Sequence, residues 1–185
     1  MINKKKKLQI ILCLFFSFAL TGCGTTKITN VGILQNGKKN IDYVAQNYKY
    51  EVSYNDNQII YVFVYNDNNY KINKFNVSNN NKINIEVPDG EKFIISLLAY
   101  KTVTYTWNIK NELDKNILSI LDKKWIDVKD DSTIKQTGGS PDRQNFYFQT
   151  KGEGMQTLKL KNEQQKEPES TVDPFEVVLE VKVIK

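Results

Sequence analysis

Apolar and polar residues alternate with a two-residue period through most of this chain, and the clearest stretch runs from Val87 to Trp107. Phe93, Ile95 and Leu97 alternate with Ile94, Ser96 and Leu98 after a Pro88-Asp89-Gly90 turn, and Val103, Tyr105 and Trp107 alternate again beyond Tyr100-Lys101. That pattern predicts two strands around a short polar loop. Ile83, Ile85 and Val87 predict a strand just before it. Downstream, Phe146-Tyr147-Phe148, Met155 to Leu160 and Phe175 to Val183 predict three more, with a Gly152–Gly154 turn between the first two. Upstream, the aromatic and β-branched runs Tyr48–Tyr54, Ile59–Tyr65 and Asn69–Phe75 are punctuated by Tyr-Asn-Asp-Asn at 54–57 and 65–68, a β-meander pattern. Residues 28–45 carry strand signals around Asn36-Gly37. Only Glu112–Trp125 breaks the period: Leu113, Ile117, Ile120 and Leu121 have helical spacing, so a short helix or helical turn is expected there. Trp107 and Trp125 are expected in the core, where tryptophan is mostly buried.

The N-terminus changes this picture by removing itself from it. Lys4–Lys7 precede the apolar run Ile10–Phe16, which gives way to Leu20-Thr21-Gly22-Cys23. A basic start, a short apolar run and small residues before a cysteine define a lipoprotein signal, with the Cys23 thiol as the site of acylation. The apolar run is shorter than the ~20 residues that span a bilayer as a helix. Residues 1–22 thus read as signal peptide, and the mature chain as exported and held by its lipid on the outer face of a bacterial cell membrane. Gly24-Thr25-Thr26-Lys27 reads as a tether.

Cleavage takes four of the 26 basic residues and none of the 21 acidic ones, so the formal charge of +5 falls to +1. A nucleic-acid partner loses its support, because such binding rests on many phosphate contacts. Cys13 leaves with the signal and Cys23 is acylated, so no disulfide can form and stability must come from the core. The chain has no histidine. Without histidine or a free thiol, the commonest general base and the strongest nucleophile are missing, which argues against an enzyme. Asp130-Asp131 sits in a polar stretch and reads as solvated. Asp56 and Asp67 have Asp-x-Asn spacing, but a calcium loop needs more ligands, and Asn/Asp pairs are ordinary turn chemistry. No metal or cofactor is expected.

The order of residues also resembles a family, the chagasin-like inhibitors of papain-type cysteine proteases. There a strand x-G-x-x-F-x-I-x-L enters an Asn-Pro-Thr-Thr-Gly-Tyr-x-Trp loop. Gly90, Phe93, Ile95 and Leu97 match the strand, and Thr102, Tyr105 and Trp107 match the loop and its exit, while Tyr100, Lys101 and Thr104 stand in place of Asn, Pro and Gly. Later the family has a Gly-rich loop, an x-F-x-F strand, a Gly turn and T-x-L-x-L. Gly138-Gly139, Phe146, Phe148, Gly154, Thr157, Leu158 and Leu160 follow the same order. Where the family has Arg-Pro-Trp, this chain has Gln164, Gln165 and Lys166.

The resemblance implies an all-β, immunoglobulin-like β-sandwich over residues 79–185, preceded by a tether and β-rich extension over 23–78. It implies three loops, at 99–104, 129–145 and 162–174, gathered at one end of the sandwich to occlude a protease cleft non-covalently. The protease-binding residues would be Tyr100, Lys101, Thr102, Val103 and Thr104, then Gly138 and Gly139, then Gln165 and Lys166. Thr102 would lie nearest the protease nucleophile, and the protein would act as a monomer. A non-inhibitory cell-surface binding module on the same sandwich is the alternative.

Overall fold

The computed structural model describes residues 26–34, 40–51, 58–78, 81–99, 105–127, 142–164 and 174–185. Ten strands and one short helix lie in these residues: β1 (Thr26–Ile33), α1 (Ile41–Asn47), β2 (Gln58–Tyr65), β3 (Asn69–Val77), β4 (Asn81–Pro88), β5 (Lys92–Ala99), β6 (Tyr105–Ile109), β7 (Leu118–Ile126), β8 (Asp142–Thr150), β9 (Gly154–Gln164) and β10 (Phe175–Ile184). They form a six-stranded sheet in the order β1-β3-β2-β5-β8-β7 and a four-stranded sheet in the order β4-β10-β9-β6. The fold is the β-sandwich expected.

Alternation explains how the two sheets meet. Phe93, Ile95 and Leu97 of β5, Phe146 and Phe148 of β8, Leu158 and Leu160 of β9, and Val177, Leu179, Val181 and Val183 of β10 share one buried core with Ile83, Ile85 and Val87 of β4. Ile60, Val62 and Val64 of β2 and Phe75 and Val77 of β3 belong to that core too. The strands that precede Ser78 therefore lengthen the sandwich's own sheet, with β2 antiparallel to β5. The Pro88-Asp89-Gly90 turn carries the chain from the small sheet to the large one. Gly90 has a φ of 78°, a conformation that favours glycine. The Thr150 hydroxyl holds the turn by donating within reach of the carbonyls of Pro88 (2.9 Å) and Glu91 (3.0 Å).

The large sheet is covered on its outer face as well, which is why β5 is apolar along nearly its whole length. Ile41 and Ala45 of α1 pack there against Ile59, Tyr61, Phe63, Ile72, Ile94 and Tyr147. Tyr48 and Tyr50 add edge-to-face contacts with Tyr61, at 5.3 and 5.1 Å between ring centroids.

Several expectations are corrected. Residues 41–47 form a helix where strand signals were read, because Asn40 caps it: its Oδ1 accepts from the Tyr43 amide at 2.8 Å. Thr26 and Lys27, expected in a tether, are the first two residues of β1, while Gly24 and Thr25 lie outside the described residues. Tyr48–Glu51 is irregular, and the third strand of the early meander is β1, paired with β3. Helical geometry near Glu112–Trp125 is confined to one turn, where the Leu118 amide bonds the Asp114 carbonyl at 2.9 Å. Leu118–Ile126 is a strand, because pairing with β8 outweighs a spacing that only mimics a helix. Its register shifts by a bulge between Ile120 and Asp122, where Ile120 and Leu121 are exposed. At the Asn66–Asn69 turn, Asn66 Oδ1 accepts from the amides of Asn68 and Asn69, so this part of the Asn-Asp repeat is turn chemistry. Asn36, Gly37 and Asp56 lie outside the described residues.

Candidate functional site

Three connections leave one end of the sandwich. Ala99 at the end of β5 pairs with Asp142 at the start of β8, and Ile126 at the end of β7 pairs with Arg143. In the small sheet Tyr105 pairs with Gln164, and Phe175 with Asn162. The mouths of the connections 100–104, 128–141 and 165–173 are therefore neighbours. The first crosses between sheets, the second links β7 to β8, and the third links β9 to β10.

Trp107 ties the three stems together. It is fully buried. Its indole N–H donates to the Leu98 carbonyl at 2.9 Å, just before the first connection, and its ring meets Phe175, just after the third, at 6.1 Å. Its backbone amide donates to Gln144 Oε1 at 2.8 Å, two residues into the strand that follows the second. Gln144 Nε2 donates in turn to Thr106 Oγ1 at 3.1 Å and approaches the Trp107 carbonyl at 3.4 Å. Lys123 Nζ donates to that carbonyl at 2.7 Å and to Asn108 Oδ1 at 3.1 Å. Partial burial lowers the Lys123 ammonium pKa. β6 is an edge strand, and side chains of the opposite sheet satisfy the outward amide and carbonyl of its Trp107.

Arg143, almost fully buried, anchors the same end from the outer face of the large sheet. Its guanidinium donates to Ser96 Oγ (3.0 Å), the Ser96 carbonyl (2.6 Å) and the Ile59 carbonyl (2.9 Å). It lies 4.7 Å from the Tyr50 ring centroid and 5.1 Å from that of Tyr61. None of these partners is a carboxylate, so carbonyl dipoles and ring faces replace its water. Burial lowers its pKa to about 10, against the opposing pull of Tyr50 and Tyr61. The charge stays on at neutral pH.

Sequence reading placed Arg143, Gln144 and Asn145 in a polar loop reaching to residue 145. They are buried strand residues of β8. The only signal was phase: Gln144 shares the parity of Phe146 and Phe148, and Arg143 that of Tyr147. Trp125, expected in the core, is 36% exposed on edge strand β7. Tyr100, Lys101, Thr102, Val103, Thr104, Gly138, Gly139, Gln165, Lys166 and Cys23 all lie outside the described residues. What is described is the frame that carries the loops. Among the described residues no group of His, Cys, Asp or Glu is arranged to hold a metal ion.

Comparison with protein families finds the chagasin family of peptidase inhibitors, class I42, matching residues 86–181. The chain belongs to the chagasin family. Members of this family are protease inhibitors and not enzymes. The match begins inside β4 and ends inside β10, so it takes in the stems of all three connections. Among solved structures, the crystal structure of the cysteine protease inhibitor EhICP2 from Entamoeba histolytica is similar at 17% identity and a TM-score of 0.44, over 56% of this chain and 87% of that one. The solution structure of amebosin is similar at 22% identity and a TM-score of 0.39, over 57% and 90%. No curated protein matches.

Proposed function

We propose that this protein inhibits papain-like cysteine proteases by filling the active-site cleft, without covalent chemistry, with the connections 100–104, 128–141 and 165–173. We propose further that it does so as a lipoprotein, acylated on Cys23, on the outer face of a bacterial cell membrane. The observation that carries the inhibitor reading is the convergence of the three stems on Trp107. A loop whose ends are held by two sheets loses little freedom on binding, so its contacts convert efficiently into affinity. Chagasin-family membership supplies the class of target, and the signal-like N-terminus supplies the anchor.

The test uses the mature, unacylated chain against several papain-type proteases, beside a variant with Thr102→Arg. A bulky cation at the first loop should weaken inhibition at least about tenfold, or ~1.4 kcal/mol. Equal inhibition by both would remove Thr102 from the contact. A folded parent that leaves every protease active at micromolar concentration would favour the second reading, a surface binding module. That reading draws on Tyr100-Lys101 in place of Asn-Pro and Gln164-Gln165-Lys166 in place of Arg-Pro-Trp, since aromatic and Arg side chains usually dominate interface energies.

A further inference from the structure

The strand register fixes where a lipid on Cys23 would hold this molecule. Thr26, the first residue of β1, pairs with Phe75, and Phe75 pairs with Ile60. Tyr61 pairs with Ser96, which sets Ile60 beside Leu97; Leu97 pairs with Gln144, and Gln144 with Trp125. β1 therefore starts in the same cross-strand row as Leu97, Gln144 and Trp125, within two or three residues of the loop mouths at Ala99 and Asp127. It then runs away from them, to Ile33 opposite Asn69 near the far end of the sheet.

Only Gly24 and Thr25 separate Cys23 from Thr26. Three links of at most ~3.6 Å reach no more than ~11 Å. The eight-residue strands β1 and β5 are about 27 Å tall at ~3.4 Å per residue. Turning the loop end to bulk solvent would place the rest of the domain between Thr26 and the bilayer, which needs a tether of about that height. The available tether is less than half as long. β1 is also an edge strand, four spacings of ~4.8 Å from β8, so toppling the domain onto that edge leaves the loops about 19 Å above the bilayer and facing along it.

Resting on the anchored-inhibitor reading, we infer that the lipid anchor holds the loop-bearing end against or along the bilayer. The protein then engages proteases at the membrane surface and is shielded from those arriving from bulk solution. The anchor acts as a filter on location, set by tether length and strand direction.

The mature chain has no cysteine besides Cys23, so an introduced cysteine can be labelled alone. The processed lipoprotein, reconstituted in phosphatidylethanolamine–phosphatidylglycerol vesicles carrying a headgroup acceptor dye, would be labelled at Asp127→Cys or at Glu153→Cys. Both positions are exposed, the first at the loop end and the second at the far end of the same side. Energy transfer from Asp127→Cys should equal or exceed that from Glu153→Cys. Weaker transfer from Asp127→Cys overturns the inference, and so does recovery of the protein off the membrane.

In the second arm, about 30 Gly/Ser residues inserted between Thr25 and Thr26 give a tether of r.m.s. length ~30 Å. Association of a soluble papain-type protease with the vesicle-bound protein should accelerate about tenfold, and an unchanged rate overturns the inference. A free mature chain that binds no protease defeats the inhibitor reading, while energy transfer still decides the orientation.

Discussion

The two faces of the large sheet differ in material: the inner one is apolar, and the outer one mixes apolar with polar and charged side chains. Inward, Phe93, Ile95, Leu97, Phe146 and Phe148 meet the small sheet in an apolar core, with Phe93 stacked on Phe148 at 5.0 Å between centroids. Outward, the same two strands present Ile94 together with Ser96, Arg143, Asn145 and Tyr147 to a cover of α1, Tyr48 and Tyr50. The apolar face supplies stability through area removed from water. The polar face supplies position: a guanidinium that bonds β2 and β5 at once tolerates little sliding of β8, whereas hydrocarbon contacts vary smoothly with displacement.

The largest expected effect lies on the inner face. Phe148→Ala should cost about 3–5 kcal/mol, because its ring is fully buried and the surrounding sheets cannot collapse onto the space. Urea unfolding measures it, and a loss below about 1 kcal/mol would mean the inner core repacks freely.

Outside, Arg143→Met should cost about 2 kcal/mol by leaving the Ile59 and Ser96 carbonyls without their donor. It should also loosen the stem of the second loop, seen as faster amide exchange at Asp142–Gln144 than in a variant of equal stability altered in the inner core.

The outer face also sets the alkaline limit. Burial raises the Tyr50 and Tyr61 phenols to about 12 from 10.0, so the folded chain retains protons that the unfolded chain releases. That contribution is complete below pH 10 and is lost as pH rises through 12. Arg143 has the opposite sign: its pKa, lowered to about 10, imposes a penalty that relaxes above pH 10. Two phenols outweigh one guanidinium, so the urea midpoint should fall between pH 10 and 12, and more steeply in Arg143→Met. A flat profile over that interval would remove the aromatic cover from the folded state.

Trp125→Ser should cost about 1 kcal/mol, less than a core aromatic, since the ring is part-exposed at an edge. A cost near that of a core aromatic would show that the ring packs far more than its exposure indicates.

What was legible in the sequence follows the same division. β5, β6, β9 and β10 were readable because their inward positions are apolar at every second residue. Arg143, Gln144 and Asn145 were unreadable because three polar residues in a row look like loop, and only a partner across the sandwich or a covering layer explains their burial. α1 was missed because seven residues are too few to show helical periodicity and its formation depends on docking. β7 imitated a helix because a bulge displaces its apolar residues from strict alternation. As for the candidate site, its stems could be placed from sequence, but the side chains that fix them could not, since Gln144 and Arg143 act through distant backbone groups.

The side-chain contacts on the open edge of β6 have one further consequence. An uncovered strand edge is a template on which a second chain can add. By occupying the Trp107 amide and carbonyl, Gln144 and Lys123 leave an incoming strand no donor or acceptor there. The contacts that hold the loop stems thus also guard this edge against edge-to-edge aggregation.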